Sequence, residues 1–182
     1  SGRYQAMLVY KQNNYALLTE GGELLVRGSS FVSRAMEPFL REFLVEAVRL
    51  LLGGQGEQVY QLYETFLRRL TDHGCPVSWV MQCETVLDTR EGYLQAVQSG
   101  KRNRAAVYEL ALARPENWRV GDKIRYYVSG HAKNVVVHES CKLVAEFDPA
   151  HPDLNIPWYA ERLHQLFRRL ESFLPAEPSL FG

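Results

Sequence analysis

Short apolar runs separated by polar turns open the chain. Residues 7–10 and 15–18 are apolar and aromatic, and the polar segment 11–14 separates them. A third apolar run, 24–26, follows the Glu-Gly-Gly segment 20–22. Asn and Gly accept the positive φ angles that tight turns require. The pattern therefore predicts two β-hairpin connections and a small antiparallel sheet at the N-terminus.

The hydrophobic period changes to three and four residues after residue 35. Between Pro38 and the glycine pair 53–54, apolar side chains alternate with charged ones at helical spacing. Pro is tolerated in the first turn of a helix and the glycine pair ends it, so we predict one amphipathic helix here. A second helix of the same pattern is predicted from Val59 to about His73. The two helices form a hairpin.

The second half of the chain contains both strand-like and helix-like patterns of apolar residues. Residues 77–86 are rich in Val, Trp, Met and Thr, which favours a strand, with a short buried helix as the open alternative. Residues 123–128 predict another strand, and 135–137 is a candidate to pair with it. Helical spacing returns in segments 93–97, 105–113 and 158–174. The predicted fold class is α+β, with a small antiparallel sheet at the N-terminus followed by a mostly helical region that contains a further β-hairpin.

Composition limits the class of protein. The 182 residues are 46% hydrophobic and 23% charged, which is typical of a globular chain with a packed core. Neither a long apolar run nor a basic segment leading into an apolar one is present, so no membrane span or signal peptide is predicted. Three cysteines without a CxxC pair favour reduced thiols. We expect a monomeric cytoplasmic protein. Ser1-Gly2 resembles a cloning remnant, so we expect a piece of a longer chain.

Charge is unevenly distributed, although the formal net charge is zero. The segment 100–134 contains eight basic and three acidic residues, a local charge of +5. Within it, the loop 101–104 offers side chains that can contact successive phosphates without reading sequence. A second candidate is the pair Arg27-Gly28 with Arg34 after it, because Gly lets a ligand approach the backbone and guanidinium groups match phosphate oxygens. Composition alone favours a solvated helix start at the loop 101–104, and the signal at the Arg27-Gly28 pair is weak when taken alone.

No motif of a common enzyme class is present. The chain lacks GxSxG, GxxxxGK[ST], GxGxxG and HExxH. His131, His138 and Cys141 could form a metal or thiol site, but strand spacing puts the two histidines on opposite faces, and zinc ligands usually come as tight pairs. The carboxylates considered as Mg²⁺ ligands are Glu139, Glu146 and Asp148. Turn and capping roles are favoured for these carboxylates.

Taken in chain order, these segments resemble the C-terminal part of family B DNA polymerases, namely the last palm strands and the thumb. The matching segments are NNYALLTEGGELLVRGSSFVSR, the two predicted helices, CETVLD to Tyr93, RVGDKIRYYVSG, and EFDPAHPDL with the Tyr159 helix. The resemblance covers nearly the whole chain. At residues 14–17 and 101–104 the sequence is most similar to bacterial members of the family. It implies that 1–35 ends a palm-like sheet and that 36–182 forms a thumb-like helical region with a β insertion.

The resemblance implies a grip on the phosphate backbone of primer–template duplex DNA, without sequence specificity. A Lys-x-Tyr element of the family matches Asn13 and Tyr15, where Asn13 takes the lysine position and Lys11 lies nearby as a substitute. The family's Arg-Gly turn matches 27–28, and only Arg34 is carried over from the arginine pair that follows. The expected DNA-binding residues are Lys11, Asn13, Tyr15, Arg27, Gly28, Arg34, Lys101, Arg102, Arg104, Arg119 and Lys123.

The resemblance places the catalytic half of the polymerase outside this chain. In the family, palm aspartates hold two Mg²⁺ ions, one set within a Tyr-Gly-Asp-Thr-Asp-Ser motif that this sequence lacks. The implied parent is a nucleoid-associated DNA-directed DNA polymerase, a nucleotidyltransferase, whose palm and fingers are partners of this segment. The fragment alone is expected to hold no cofactor and to be inactive. The alternative is a helical protein-interaction module without DNA binding, in which Phe39, Phe43 and Phe66 are exposed.

Overall fold

The computed structural model describes residues 3–11, 13–28, 35–72 and 75–176. The chain forms two compact units, the first made of 1–75 and 160–182 and the second of 76–159. The predicted division after residue 35 rests on the resemblance and stays a prediction. No helix within the described ranges is long and apolar enough to cross a membrane.

Three antiparallel strands open the first unit. They are β1 (Tyr4–Lys11), β2 (Asn14–Thr19) and β3 (Leu24–Arg27). The strand order β1-β2-β3 confirms the predicted N-terminal sheet. Leu8, Ala16 and Val26 are paired across the three strands and share one face. That face is buried at Leu8 and Ala16, and the helix that follows contacts all three strands.

The helical hairpin is also confirmed. It consists of α1 (Pro38–Leu52) and α2 (Gln58–Thr71). Phe39, Phe43 and Phe66 are buried, and the rings of Phe43 and Phe66 meet edge to face with centroids 5.5 Å apart. The exposure of these rings expected in the protein-interaction alternative is therefore wrong, because the helices bury their apolar faces within the unit.

A C-terminal helix completes the first unit. This is α7 (Ile156–Leu170), which belongs to the first unit from Ala160 onward and was predicted from its spacing. The Tyr63 ring of α2 stacks on Phe167 at a centroid distance of 4.4 Å. Arg162 of the same helix reaches the fully buried Glu37, with Nε 2.7 Å from Oε1. The helix is therefore held by both apolar and ionic contacts.

The second unit alternates short helices and strands. Its elements are α3 (Val77–Val80), β4 (Gln82–Thr85), α4 (Arg90–Gln98), α5 (Ala106–Leu112), β5 (Lys123–Val128), α6 (Val137–Ser140) and β6 (Cys141–Leu143). The strands form one antiparallel sheet in the order β4-β5-β6. The β-hairpin predicted for this region is thus a three-stranded sheet, and the α+β class is confirmed.

In this unit one strand prediction is replaced in part by its open alternative, a short helix, and another is wrong. The stretch 77–86 is a strand only from Gln82, because Pro76 begins a helical turn in which its carbonyl accepts a hydrogen bond from Trp79 N at 3.0 Å. The segment 135–137 does not pair with β5. That place is taken by β6, whose Cys141 is paired with Val128.

Candidate nucleic-acid interface

The candidate residues fall into two groups, one in each unit. In the first unit, Tyr15 of β2 and Arg27 of β3 are directly paired in the antiparallel register. Val9 is paired with Tyr15 from the other side, so all three residues share the sheet face turned away from α1. Arg27 is exposed and Tyr15 is half-buried. This end of the sheet therefore presents a guanidinium beside a phenol.

The turns at this end of the sheet hold two further candidates. Asn13 has a φ of 64° in the β1–β2 turn, and Gly28 has a φ of 107° directly after β3. A Cβ on Gly28 would lie 2.6 Å from the Asn13 carbonyl oxygen and 2.6 Å from the Asn14 Cα. Only glycine lets the two backbones approach this closely. The structure therefore brings Asn13, Tyr15, Arg27 and Gly28 together.

The group contains two further candidates, Lys11 and Arg34. The Lys11 backbone is paired with Asn14, which puts Lys11 at the same end of the sheet. Arg34 lies outside the described residues. Arg27 has no carboxylate partner among the residues that the structure describes. Its positive charge is therefore available to an anion.

In the second unit, Arg102 is engaged by its own chain. Its Nη1 donates to Asp88 Oδ2 at 2.5 Å. Its guanidinium carbon also lies 4.6 Å from the ring centre of Tyr108 and 5.2 Å from that of Tyr93. An ion pair and two cation–π contacts fix this side chain. The structure therefore favours a positioning role for Arg102 in the 101–104 loop.

Arg104 is engaged in a similar way. Its Nη1 donates to Glu109 Oε1 at 2.8 Å, and Tyr93 Oη donates to the same oxygen at 2.7 Å. Glu109 raises the pKa of Arg104, while burial and then the bond to Glu109 raise the pKa of Tyr93. Lys101 is exposed, and it has no carboxylate partner in the described part of the chain. Of these loop cations, Lys101 is the one available to a phosphate.

The other two candidates flank the turn that begins β5. Arg119 and Lys123 are both exposed. The turn is fixed to the end of β4, because Val86 accepts a hydrogen bond from Gly121 N at 2.7 Å and donates one to the Asp122 carbonyl at 2.8 Å. Gly121 has a φ of 97°, which this turn requires. The two cations thus flank a turn that is hydrogen-bonded to the end of β4.

Sequence reasoning did not single out two cations of the second unit. Arg125 lies on the same face of β5 as Lys123, and Arg114 follows α5. Arg114, Lys123 and Arg125 line one groove. The alternation of Lys123 and Arg125 around Ile124 was the available sequence signal, because alternate residues of a strand share a face.

The metal and thiol alternatives receive no support from the geometry. Cys141 Sγ lies 3.7 Å from the backbone oxygen of His138, and burial raises the pKa of this thiol, which disfavours a reactive thiolate. Glu146 accepts a bond from Leu143 N at 2.9 Å, and Asp148 accepts one from Ala150 N at 2.9 Å. These two carboxylates therefore serve local turns. No group of three metal-ligating side chains is found among the described residues.

Comparison with known proteins gives a likeness of fold. No protein-family model matches the chain, and no curated protein matches it. Among solved structures, the chain is similar to the family B DNA polymerase from the hyperthermophilic archaeon Pyrobaculum calidifontis, with a TM-score of 0.69 and 16% sequence identity. The match covers 94% of this chain and 22% of that polymerase. The chain therefore has the fold of one part of a family B DNA polymerase and spans about a fifth of the length of that protein.

Proposed function

We propose that this chain is the duplex-binding, thumb-containing part of a family B DNA-directed DNA polymerase. In this role it holds the phosphate backbone of primer–template DNA without reading the sequence. The observation that carries the proposal is the grouping of Asn13, Tyr15, Arg27 and Gly28 at one end of the N-terminal sheet. The likeness of the fold to part of such a polymerase supports it.

The mechanism is electrostatic. The Arg27 guanidinium can donate two parallel hydrogen bonds to one phosphate, and the Tyr15 hydroxyl can donate a further one. Lys101 and Arg119, which are exposed in the second unit, offer further point charges, and each displaces counterions when it meets a phosphate. Phosphate contacts suit a polymerase, because it must move along every sequence. Slower dissociation of the duplex would raise processivity.

The rest of the proposal concerns the parent protein. Its assignment to a bacterial cytoplasm, at the nucleoid, rests on the sequence resemblance alone, because the similar solved structure comes from an archaeon. The palm and fingers are proposed as the partners of this segment. The parent's Mg²⁺ ions do not fit the described residues, which contain no cluster of His, Cys, Asp and Glu able to hold a metal. Because the sequence lacks the palm aspartate motif of the family, we propose that the chain alone is inactive. Mg²⁺-dependent nucleotide incorporation by the purified chain would contradict this.

Fluorescence anisotropy with a labelled duplex of about 20 base pairs tests the DNA contact. We expect a dissociation constant of about 10⁻⁴ to 10⁻⁶ M near physiological salt, and a log–log salt slope of about −0.9 for each phosphate contacted. Arg27→Ala should make the slope shallower by about 1 and weaken binding equally for unrelated duplex sequences.

Arg168→Ala is the matched control. It removes one positive charge from α7, outside the sheet, at a side chain that is 65% exposed and whose Nε lies 3.9 Å from Glu171 Oε2. This variant should leave the salt slope unchanged. Equal effects of the two variants, or binding that does not depend on salt, would refute the proposed contact.

A further inference from the structure

A groove in the second unit is not used by the proposed DNA contact of the first unit. It has a volume of about 590 Å³ and lies among α5, β5 and the helical turns 115–117 and 144–146. All of its lining residues belong to the second unit. The groove is therefore a feature of one compact body.

The polar part of the lining is mainly cationic. Arg114, Lys123 and Arg125 line the groove and are exposed, whereas Asp122 is its one acidic lining residue. These three cations have no ion-pair partner within the described ranges. The groove consequently carries an uncompensated positive charge.

The apolar part of the lining is mainly aliphatic. It includes Leu110, Ile124, Leu143 and Val144. The aromatic residue of the lining is Trp118, whose ring stacks on Tyr108 with centroids 5.6 Å apart and whose Nε1 donates to the Asp88 carbonyl at 3.0 Å. Trp118 is thus held by its own unit. The groove offers an aliphatic surface rather than a platform for stacking.

We propose that this groove, which we call the Arg125 groove, binds an acidic segment of a partner protein that carries aliphatic anchor residues. The aliphatic anchors would bury the Leu143 and Val144 surface, which contributes affinity in proportion to the apolar area removed from water. Carboxylates flanking the anchors would meet Lys123 and Arg125, which sets the orientation and accelerates association. The occupant is therefore an amphipathic acidic peptide.

The same features argue against nucleic acid as the occupant. Single-stranded nucleic acid is held by several aromatic side chains on which bases stack, whereas the aromatic lining of this groove is Trp118, one face of which already stacks on Tyr108. A sugar–phosphate backbone is mainly polar and has no branched apolar side chain comparable to Leu or Ile that could cover Leu143 and Val144. Charge alone would suit either ligand, so the aliphatic lining decides between them.

A peptide-binding measurement with the full chain tests the proposal. The probe is a fluorescein-labelled peptide of about a dozen residues in which Asp and Glu alternate with Leu and Ile, and its anisotropy is followed. The comparison peptide has the same charges, with Ser in place of Leu and Ile. We expect saturable binding of the first peptide, and binding of the Ser peptide weaker by about tenfold, because the anchors are lost.

Variants of the chain locate the site. The double variant Lys123→Glu with Arg125→Glu should weaken binding of the Leu/Ile peptide by about tenfold or more. The matched control is Arg90→Glu with Lys133→Glu, which makes the same charge change at exposed positions outside the groove and should have little effect. Circular dichroism checks that both variants are folded. If a variant fails to fold, the comparison of the two peptides on the unchanged chain still tests the proposal.

Four results would overturn the proposal. Three come from the peptide titrations: no binding of the Leu/Ile peptide at about 1 mM, equal binding of the Ser peptide, and equal weakening by the control variant. The fourth comes from competition with DNA. Displacement of both peptides alike by duplex DNA would identify the groove as a general polyanion surface instead. Arg27→Ala should leave peptide binding intact, so failure of the DNA proposal and failure of this one can be told apart.

Discussion

Gly28 packs so closely against Asn13 that no side chain fits between the two backbones. A Cβ at residue 28 would lie 2.6 Å from the Asn13 carbonyl oxygen, and the φ of 107° is itself unfavourable for any other residue. Gly28→Ala should therefore lower the free energy of unfolding by about 2 kcal/mol or more. It should also weaken duplex binding, because the turn that holds Tyr15 and Arg27 must shift. Urea unfolding and anisotropy measure the two effects.

Gly22 supplies the control for this prediction. Its φ of 82° is also positive, but an added Cβ would meet nothing within 4 Å. Gly22→Ala should cost only the backbone strain, about 1 kcal/mol. Equal losses for the two variants would show that the contact between Gly28 and Asn13 contributes nothing beyond its dihedral angle.

Lys101 and Arg102 are neighbours in sequence and should respond differently to truncation. Arg102→Ala removes the ion pair with Asp88 and the contacts with Tyr93 and Tyr108, so we expect a stability loss of about 1–2 kcal/mol. Lys101→Ala should change stability by less than about 0.5 kcal/mol and should make the salt slope of duplex binding shallower by about 1. Chemical denaturation and salt titration measure both quantities.

Arg102→Lys is the conservative variant for this comparison. Lysine keeps the charge but loses the planar fork and most of the stacking on Tyr108. Its stability should lie between those of the unchanged chain and the alanine variant. Loss of duplex binding by Arg102→Ala without any loss of stability would reassign Arg102 as a direct phosphate contact.

Local sequence patterns predicted the elements whose partners are near in the chain. The hairpin β1–β2 and the helix α1 follow from turn residues and from one unbroken period. The run 135–137 is β-branched and still does not form a strand, because β5 pairs with β6 instead. That choice depends on tertiary packing, which local β-propensity does not contain.

In the candidate site, too, contacts between segments that are near in the chain follow from the sequence, whereas contacts between distant segments do not. Tyr15 and Arg27 meet because β2 and β3 are joined by a short turn, so their grouping follows from the hairpin. Arg102 is engaged by Asp88 and Tyr108, which lie on other segments. A count of basic residues along 100–134 does not show which cations are already neutralised. The number of available charges therefore required the structure.

The buried carboxylate Glu37 should be a strong determinant of stability in the first unit. Its side chain is fully buried, and Arg162 Nε lies 2.7 Å from its Oε1 while the arginine side chain keeps 34% exposure. Glu37→Ala leaves the guanidinium without this partner and should cost about 2–4 kcal/mol, less than for a fully buried pair. Urea unfolding monitored by circular dichroism measures the loss.

A surface ion pair in the same unit is the control. Arg69 Nη1 lies 3.8 Å from Glu42 Oε1, and the two side chains are 51% and 43% exposed. Water screens such a pair, so Glu42→Ala should change stability by less than about 1 kcal/mol. Similar losses for Glu37→Ala and Glu42→Ala would mean that burial adds nothing to the importance of Glu37.

Asp153 links the stability of the second unit to pH. Tyr127 Oη and Lys142 Nζ donate to its two carboxylate oxygens, at 2.7 and 2.6 Å. Burial raises the pKa of Asp153, but these hydrogen bonds outweigh burial and hold the pKa below its ordinary value of 3.8. The contribution is present above about pH 4 and is lost as pH falls through the lowered pKa.

At high pH the two hydrogen-bond donors, Tyr127 and Lys142, make stability fall as the pH rises. Burial and then the bond to Asp153 raise the pKa of Tyr127, and the bond to Asp153 raises that of Lys142. Their contribution is present below about pH 10 and is lost as pH rises through the raised values. The midpoint of thermal unfolding should therefore fall at both extremes.

Asp153→Asn should flatten the acid side of this profile. The amide keeps an acceptor for Tyr127 but cannot ionise, so the variant should be less stable than the unchanged chain at neutral pH and should approach it below about pH 3. A carboxylate whose protonation differs between the folded and unfolded states must change the slope of stability against pH. Parallel pH profiles for the unchanged chain and Asp153→Asn would therefore show that Asp153 does not link stability to pH.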